Sequence, residues 1–85
     1  MFIVYVLQHT ISKKFYFGFT TNLKQRLEQH NQGKNTSTKR LDGEWKLVYA
    51  EAYRSKSDAI RRESKLKHHG SSKHELLKRI KDSTI

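Results

Sequence analysis

Arg26 and His30 stand four residues apart, the spacing that places two side chains on one face of a helix, with Leu23 and Leu27 beside them. Arginine can fork onto a phosphate through two parallel N–H donors, and neutral histidine can take up a proton near physiological pH. Together they suit a phosphate-handling site, although the same spacing also describes a half-exposed helix edge. Glu63 falls inside the inward stripe Ala59, Ile60, Leu66 of a later helical segment. A carboxylate there loses hydration unless a divalent cation or a basic neighbour compensates it. The plainer reading is a salt bridge at the rim of the helix. Tyr5 and Tyr16 lie in β-branched and aromatic runs, where tyrosine is ordinary cross-strand filling. A phenol can also position or deprotonate a water, and it needs a partner if buried. Gly18, inside the second run, marks a bulge or a close approach of another group to the backbone.

Several other chemistries are excluded. There is no Cys, hence no thiol nucleophile and no disulfide, which fits an intracellular protein better than a secreted one. Among the five His there is no His-Glu-x-x-His motif, and His68, His69 and His74 lack a zinc-site spacing. No Gly-rich phosphate cradle occurs. Charge is the strongest compositional signal: 18 Lys and Arg against 8 Asp and Glu give a net +10 on 85 residues. Such a field attracts polyanions, and nucleic acid is the usual one. A lipid surface would need a segment with a wide apolar face opposite a basic one, and the short helices here have too few apolar positions for that. The apolar residues 1–7 are far fewer than the about 20 a membrane span requires and lack signal-peptide features. The expectation is a soluble, cytoplasmic protein without a membrane partner.

The elements that must position these residues can be read from pattern. Residues 2–7 predict a central strand, apolar on both faces, and residues 9–14 a hairpin-length turn. Residues 15–19 form a second strand, antiparallel to the first. Thr20 or Thr21 is expected to cap a helix that carries Leu23, Arg26, Leu27 and His30 and stops at Gly33. Residues 34–43, with Lys34, Lys39 and Arg40, read as an exposed loop. Residues 45–53 give a third strand. Ser55-Lys56-Ser57-Asp58 has capping-box form and opens a second helix that runs to about Lys67 and is closed by Gly70. Ser72-Lys73-His74-Glu75 is a further capping box, opening a third helix with Leu76, Leu77 and Ile80 inward. One domain over residues 1–85 is expected: an α+β fold, β-β-α-β-α-α, with a small three-stranded antiparallel sheet flanked by three helices.

In that order the pieces resemble the GIY-YIG endonuclease superfamily, in its small single-domain branch. Ile3-Val4-Tyr5 stands for the first half-motif and Tyr16-Phe17-Gly18 for the second. Tyr16 to Leu23, then Arg26 and His30-Asn31, is the most specific stretch. Trp45 to Tyr49, Ala59 to Glu63 and Leu66-Lys67 resemble the remainder. The resemblance implies that Tyr5 and Tyr16 are the two motif tyrosines, Gly18 the motif glycine and Arg26 the phosphate-contacting arginine. His30 falls where relatives carry His or Tyr, and Glu63 at the glutamate that holds one Mg²⁺ or Mn²⁺. Ile3 replaces the first-motif glycine, Phe19 stands where some relatives have Lys, and no Asn occurs near residue 75, where Lys73 or Lys78 is the nearest substitute.

The function so implied is metal-dependent hydrolysis of DNA phosphodiesters, directed by DNA structure rather than sequence. The DNA would be branched or damaged, and a partner protein could supply recognition. Lys34, Lys39, Arg40, Lys67 and Lys73 are the candidate nucleic-acid contacts. The rival is a non-catalytic nucleic-acid-binding module that keeps the fold and the charge. Both require backbone-dominated affinity. Neutralising about six phosphates gives a slope near −5 in log affinity against log salt on duplex DNA. Fluorescence anisotropy across a salt series measures it, and a flat response would remove the electrostatic basis of both readings.

Overall fold

A computed structural model describes residues 1–32 and 43–85. Gly33, the expected helix stop, and Lys34, Lys39 and Arg40 lie outside the described residues. The elements are β1 (Phe2–His9), β2 (Phe15–Thr20), α1 (Leu23–Asn31), β3 (Trp45–Tyr53), α2 (Lys56–His68) and α3 (Gly70–Arg79), followed by one turn of 3₁₀ helix at Lys81–Ser83. The three strands form one antiparallel sheet in the order β2-β1-β3. This is the expected α+β architecture, with β1 central and its residues 4–9 buried.

Alternation along β1 divides the molecule. Val4 and Val6 point to one face, where they join Phe17, Ala59, Leu66, Leu76 and Ile80 in the core beneath α2 and α3. Tyr5, Leu7 and His9 point to the other face, where α1 lies. β3 is not uniform. Val6 pairs with Tyr49 but Leu7 pairs with Leu47, so a bulge at this point gives β3 one extra residue. The bulge reverses the facing of everything before it. Tyr49, Glu51 and Tyr53 share the α2 face, whereas Leu47 and Trp45 share the face of Leu7 and His9.

Side-chain caps open two of the three α-helices. Ser55 caps α2, its Oγ accepting from the Asp58 N–H at 3.3 Å. The α1 cap is Asn22 rather than Thr20 or Thr21: Asn22 Oδ1 accepts from the Gln25 N–H at 3.1 Å, while the Thr20 hydroxyl accepts from the Asn22 N–H. Thr20 is still the last residue of β2, so the chain cannot turn helical until two residues later. The expected Ser72 capping box does not form. α2 and α3 abut at a single residue, His69, so Gly70 is the first residue of α3 and Ser72 already lies in its first turn. Ile60, expected inward, is 44% exposed, and the buried stripe of α2 is Ala59 and Leu66 with half-buried Glu63 between them.

One side chain locks α1 to the sheet. Asn31 Nδ2 donates to the Trp45 carbonyl at 3.1 Å, and Asn31 Oδ1 accepts from the Trp45 N–H at 2.7 Å. The amide thus acts as a further rung of ladder at the start of β3. Asn31→Ala removes two hydrogen bonds worth roughly 1 kcal/mol each and strands a backbone donor. It is expected to lower stability by about 2 kcal/mol in urea denaturation.

Candidate active site

The site begins at a missing side chain. Gly18 pairs directly with Tyr5 across β2 and β1, and the Tyr5 ring lies over it. A Cβ built on Gly18 would stand 2.4 Å from both Cζ and Oη of Tyr5, far inside contact distance. The strand glycine is therefore a close-approach position, not a bulge: it lets the ring lie flat and carry its hydroxyl to α1. There Tyr5 Oη meets His30 Nε2 at 2.9 Å. Both side chains are sealed, with Tyr5 1% and His30 0% exposed.

The neighbours extend this pair into an aromatic row. The Tyr16 ring packs edge-on against His30 at 4.7 Å and lies 6.3 Å from Tyr5. Trp45, turned to this face by the β3 bulge, lies 6.4 Å from Tyr16 and 5.2 Å from His9. His9 in turn holds the β1–β2 turn, its Nδ1 accepting from the Ile11 and Ser12 N–H groups. Sequence reasoning missed Trp45 and Asn31 as site-positioning residues. Asn31 carried the one usable signal, its place directly after His30.

Burial shapes the electrostatics. Burial, aided by the nearby Tyr16 phenol, pushes the Tyr5 hydroxyl well above its ordinary range, and the Arg26 guanidinium beside it pulls the other way. Burial first and the Arg26 charge second lower His30 to about 4. Near neutral pH the centre therefore holds a neutral imidazole against a protonated phenol, with Arg26 as the adjacent cation. Tyr16, half-buried, is the member of the three aromatic groups that solvent still reaches.

α2 brings the acid. Its apolar residues lie on the opposite face of the sheet, yet the Lys67 ammonium sits 5.6 Å above the centroid of the Tyr16 ring, so its C-terminal half reaches the site past the open edge of β2. Lys67 Nζ is 3.6 Å from Glu63 Oε2, and the Glu63 charge is felt at the Tyr5 phenol. The roll of α2 is fixed one residue earlier. Arg62 Nε donates to Glu51 Oε1 at 2.5 Å, and the Tyr49 hydroxyl donates to Glu51 Oε2 at 3.0 Å. Lys73, by contrast, stacks on Phe17 at 5.6 Å, on the core side of β2.

The two half-buried acids thus differ in availability. Glu51 has both oxygens engaged, whereas among the described residues Glu63 accepts no hydrogen bond and its one ion pair, with Lys67, is long at 3.6 Å. Among the described residues no three His, Asp or Glu side chains converge. A cation here would rest on one carboxylate, a donor set that suits Mg²⁺, which keeps several waters and takes one or two carboxylates. The residues fit such an ion.

Comparison with known proteins gives the family. Residues 1–81 match the GIY-YIG catalytic domain, and the chain belongs to that family of nucleases. It is 35% identical over 78 residues to the UPF0213 protein BH0048 of Halalkalibacterium halodurans, covering 92% of this chain and 82% of that protein. The solution NMR structure of that protein superposes with a TM-score of 0.58 at 34% identity, covering 95% of this chain and 86% of the other. The UPF0213 protein SAG0778 of Streptococcus agalactiae is 44% identical over 52 residues, a match that covers 61% of this chain and only 59% of that relative. Among the described residues no helix is long and apolar enough to cross a membrane.

The depressed His30 makes stability depend on pH. An unfolded histidine titrates near 6.5, roughly, and the folded one near 4, so between these values the unfolded chain binds more protons. The stabilisation is complete above about pH 6.5 and is lost as pH falls toward 4, on the order of 3 kcal/mol in all. Urea midpoints from pH 7 to 4 should follow this slope, and His30→Gln should flatten it. An imidazole NMR titration with its midpoint near 6.5 would contradict the assignment.

Proposed function

We propose that this protein is a metal-dependent endonuclease that hydrolyses DNA phosphodiester bonds and selects its substrate by DNA structure rather than by sequence. The observation that carries this reading is the meeting of two unlike groups of residues. Tyr5, Tyr16, Arg26 and His30 assemble from β1, β2 and α1, and Glu63, an acid free of hydrogen bonds from the described residues, arrives from α2. A module that only bound a polyanion would gain nothing from a half-sheltered carboxylate facing the phosphates.

Glu63 would hold one Mg²⁺ or Mn²⁺, which when bound supplies Lewis-acid stabilisation of charge on the phosphoryl oxygens. Arg26 forks onto the phosphate and stabilises the same developing charge from the α1 side. Tyr16 is the phenol that a water can reach: it orients the attacking water and, once its own proton has passed to solvent, takes the water's proton as the water oxygen bonds to phosphorus and the bond to the leaving sugar oxygen breaks. Tyr5 and His30 are too deeply buried to meet that water directly. They hold the Tyr16 ring and the Arg26 guanidinium in register. Lysines and arginines outside this centre supply affinity through backbone phosphates, and a branched or otherwise distorted DNA provides the shape. A partner protein would add recognition that so small a domain has little surface to provide.

The test is nicking of labelled duplex, flap and four-way DNA with Mg²⁺, Mn²⁺ or EDTA, comparing the native protein with Glu63→Gln. The substitution keeps shape and removes the charge, so metal-dependent cleavage should vanish while DNA binding is kept or tightened. Its melting temperature should stay or rise, because the partner Lys67 is solvated and such pairs contribute about 1 kcal/mol or less. A variant that melts much lower yet still cuts would overturn the role of Glu63. DNA binding without cleavage of any substrate by the native protein would favour the binding module.

A further inference from the structure

Lys67 has an ambiguous position. Its ammonium lies 3.6 Å from Glu63 Oε2, too long for a hydrogen bond, and 5.6 Å above the Tyr16 ring. One cation is therefore shared between a carboxylate and an aromatic face and is held tightly by neither. The contrast with Glu51 is instructive. There the Arg62 guanidinium and the Tyr49 hydroxyl each engage one oxygen, at 2.5 and 3.0 Å, so that carboxylate is already paired and hydrogen-bonded. The Lys67 side chain is also more exposed, at 38%, than Arg62, at 26%, and has four rotatable carbons on which to move.

We propose that Lys67 is the resident counter-ion of Glu63, displaced when a divalent cation takes the carboxylate, and that its ammonium, still tethered beside Tyr16, then serves as a second cation for the bound phosphate. The inference rests on the endonuclease reading given above and adds a phosphate-contacting cation to it. The physical reason is charge balance. Without a counter-ion, Glu63 would be a lone half-buried carboxylate whose charge is felt at the Tyr5 phenol. With a dication on Glu63, the ammonium is repelled from it, and the incoming phosphate is the nearest anion to receive it. The (i, i+4) spacing from Glu63 to Lys67, acid toward the helix N-terminus, is the favourable order for holding the pair at rest.

The consequence is a pair of opposite effects from one substitution. Lys67→Met keeps the length of the side chain and removes the charge that competes with the metal. Direct Mn²⁺ binding, followed by the EPR signal of the free ion, should tighten by about threefold or more, the scale of one partly exposed ion pair. The maximal rate of nicking at saturating Mn²⁺ should nonetheless fall, because the second cation is gone. Loss of stability or of general DNA affinity would not tighten metal binding, so it would not produce this split. Lys67→Arg should retain the native Mn²⁺ affinity within about twofold. Mn²⁺ binding by the native protein that is unchanged or weakened in Lys67→Met would overturn this inference alone. Absence of Mn²⁺ binding in every form, with Glu63→Gln as the reference, would overturn both this inference and the metal-dependent reading beneath it.

Discussion

A hydrogen bond of 2.9 Å between Tyr5 and His30, both shut off from solvent, sets what the surrounding structure must do. Neither group tolerates burial alone, since each would leave a polar atom without a partner. For them to meet, the Tyr5 ring must lie across β2, and only a glycine at position 18 leaves room for it. α1 must hold the depth and rotation that point His30 inward, and the Asn31 amide secures them by pairing with the Trp45 backbone. One pair of polar atoms thereby ties together β1, β2, α1 and the start of β3.

The charged residues divide along similar lines. In a chain of net +10, acids are scarce and the placement of each matters. Glu51 is spent on structure: with Arg62 and Tyr49 it fixes α2 against β3, and burial followed by its hydrogen bond to Glu51 raises the Tyr49 phenol above its ordinary range. Glu63, on the same helix as Arg62, inherits the position so fixed while its own oxygens stay available. Of two adjacent residues of α2, Arg62 thus anchors the helix while Glu63 is held in place with its carboxylate free of hydrogen bonds from the described residues.

The architecture was legible because its signals are local. Two aromatic, β-branched runs around a polar turn predict a hairpin, and the Ser55 cap and the spacing of Ala59, Glu63 and Leu66 predict α2 whatever lies beyond them. The errors fell where neighbouring elements intervene. Thr20 could not cap α1 because β2 had not yet ended there. Ser72 could not cap α3 because α2 runs into α3 at His69. Ile60 lies on the shoulder of its helix, and the packing angle against the sheet, which periodicity does not contain, leaves it in solvent.

For the site, the sequence by itself singled out the candidates: the two tyrosines, the Arg26 and His30 pair at helical spacing, and the acid within an apolar stripe. It also determined a net charge of +10, a field that favours polyanions whatever the fold. The tertiary structure alone decided which of those residues solvent reaches. It sealed His30 and Tyr5 and left Tyr16 reachable, because burial depends on what packs above a side chain and not on its neighbours in the chain. It also decided the face of Trp45. Strict alternation from Trp45 to Tyr53 would put that indole beside Tyr49 and Glu51, but the bulge opposite Val6 and Leu7 turns it to the Tyr16 side. A bulge is a mismatch between two strands, and one strand's residues cannot specify it.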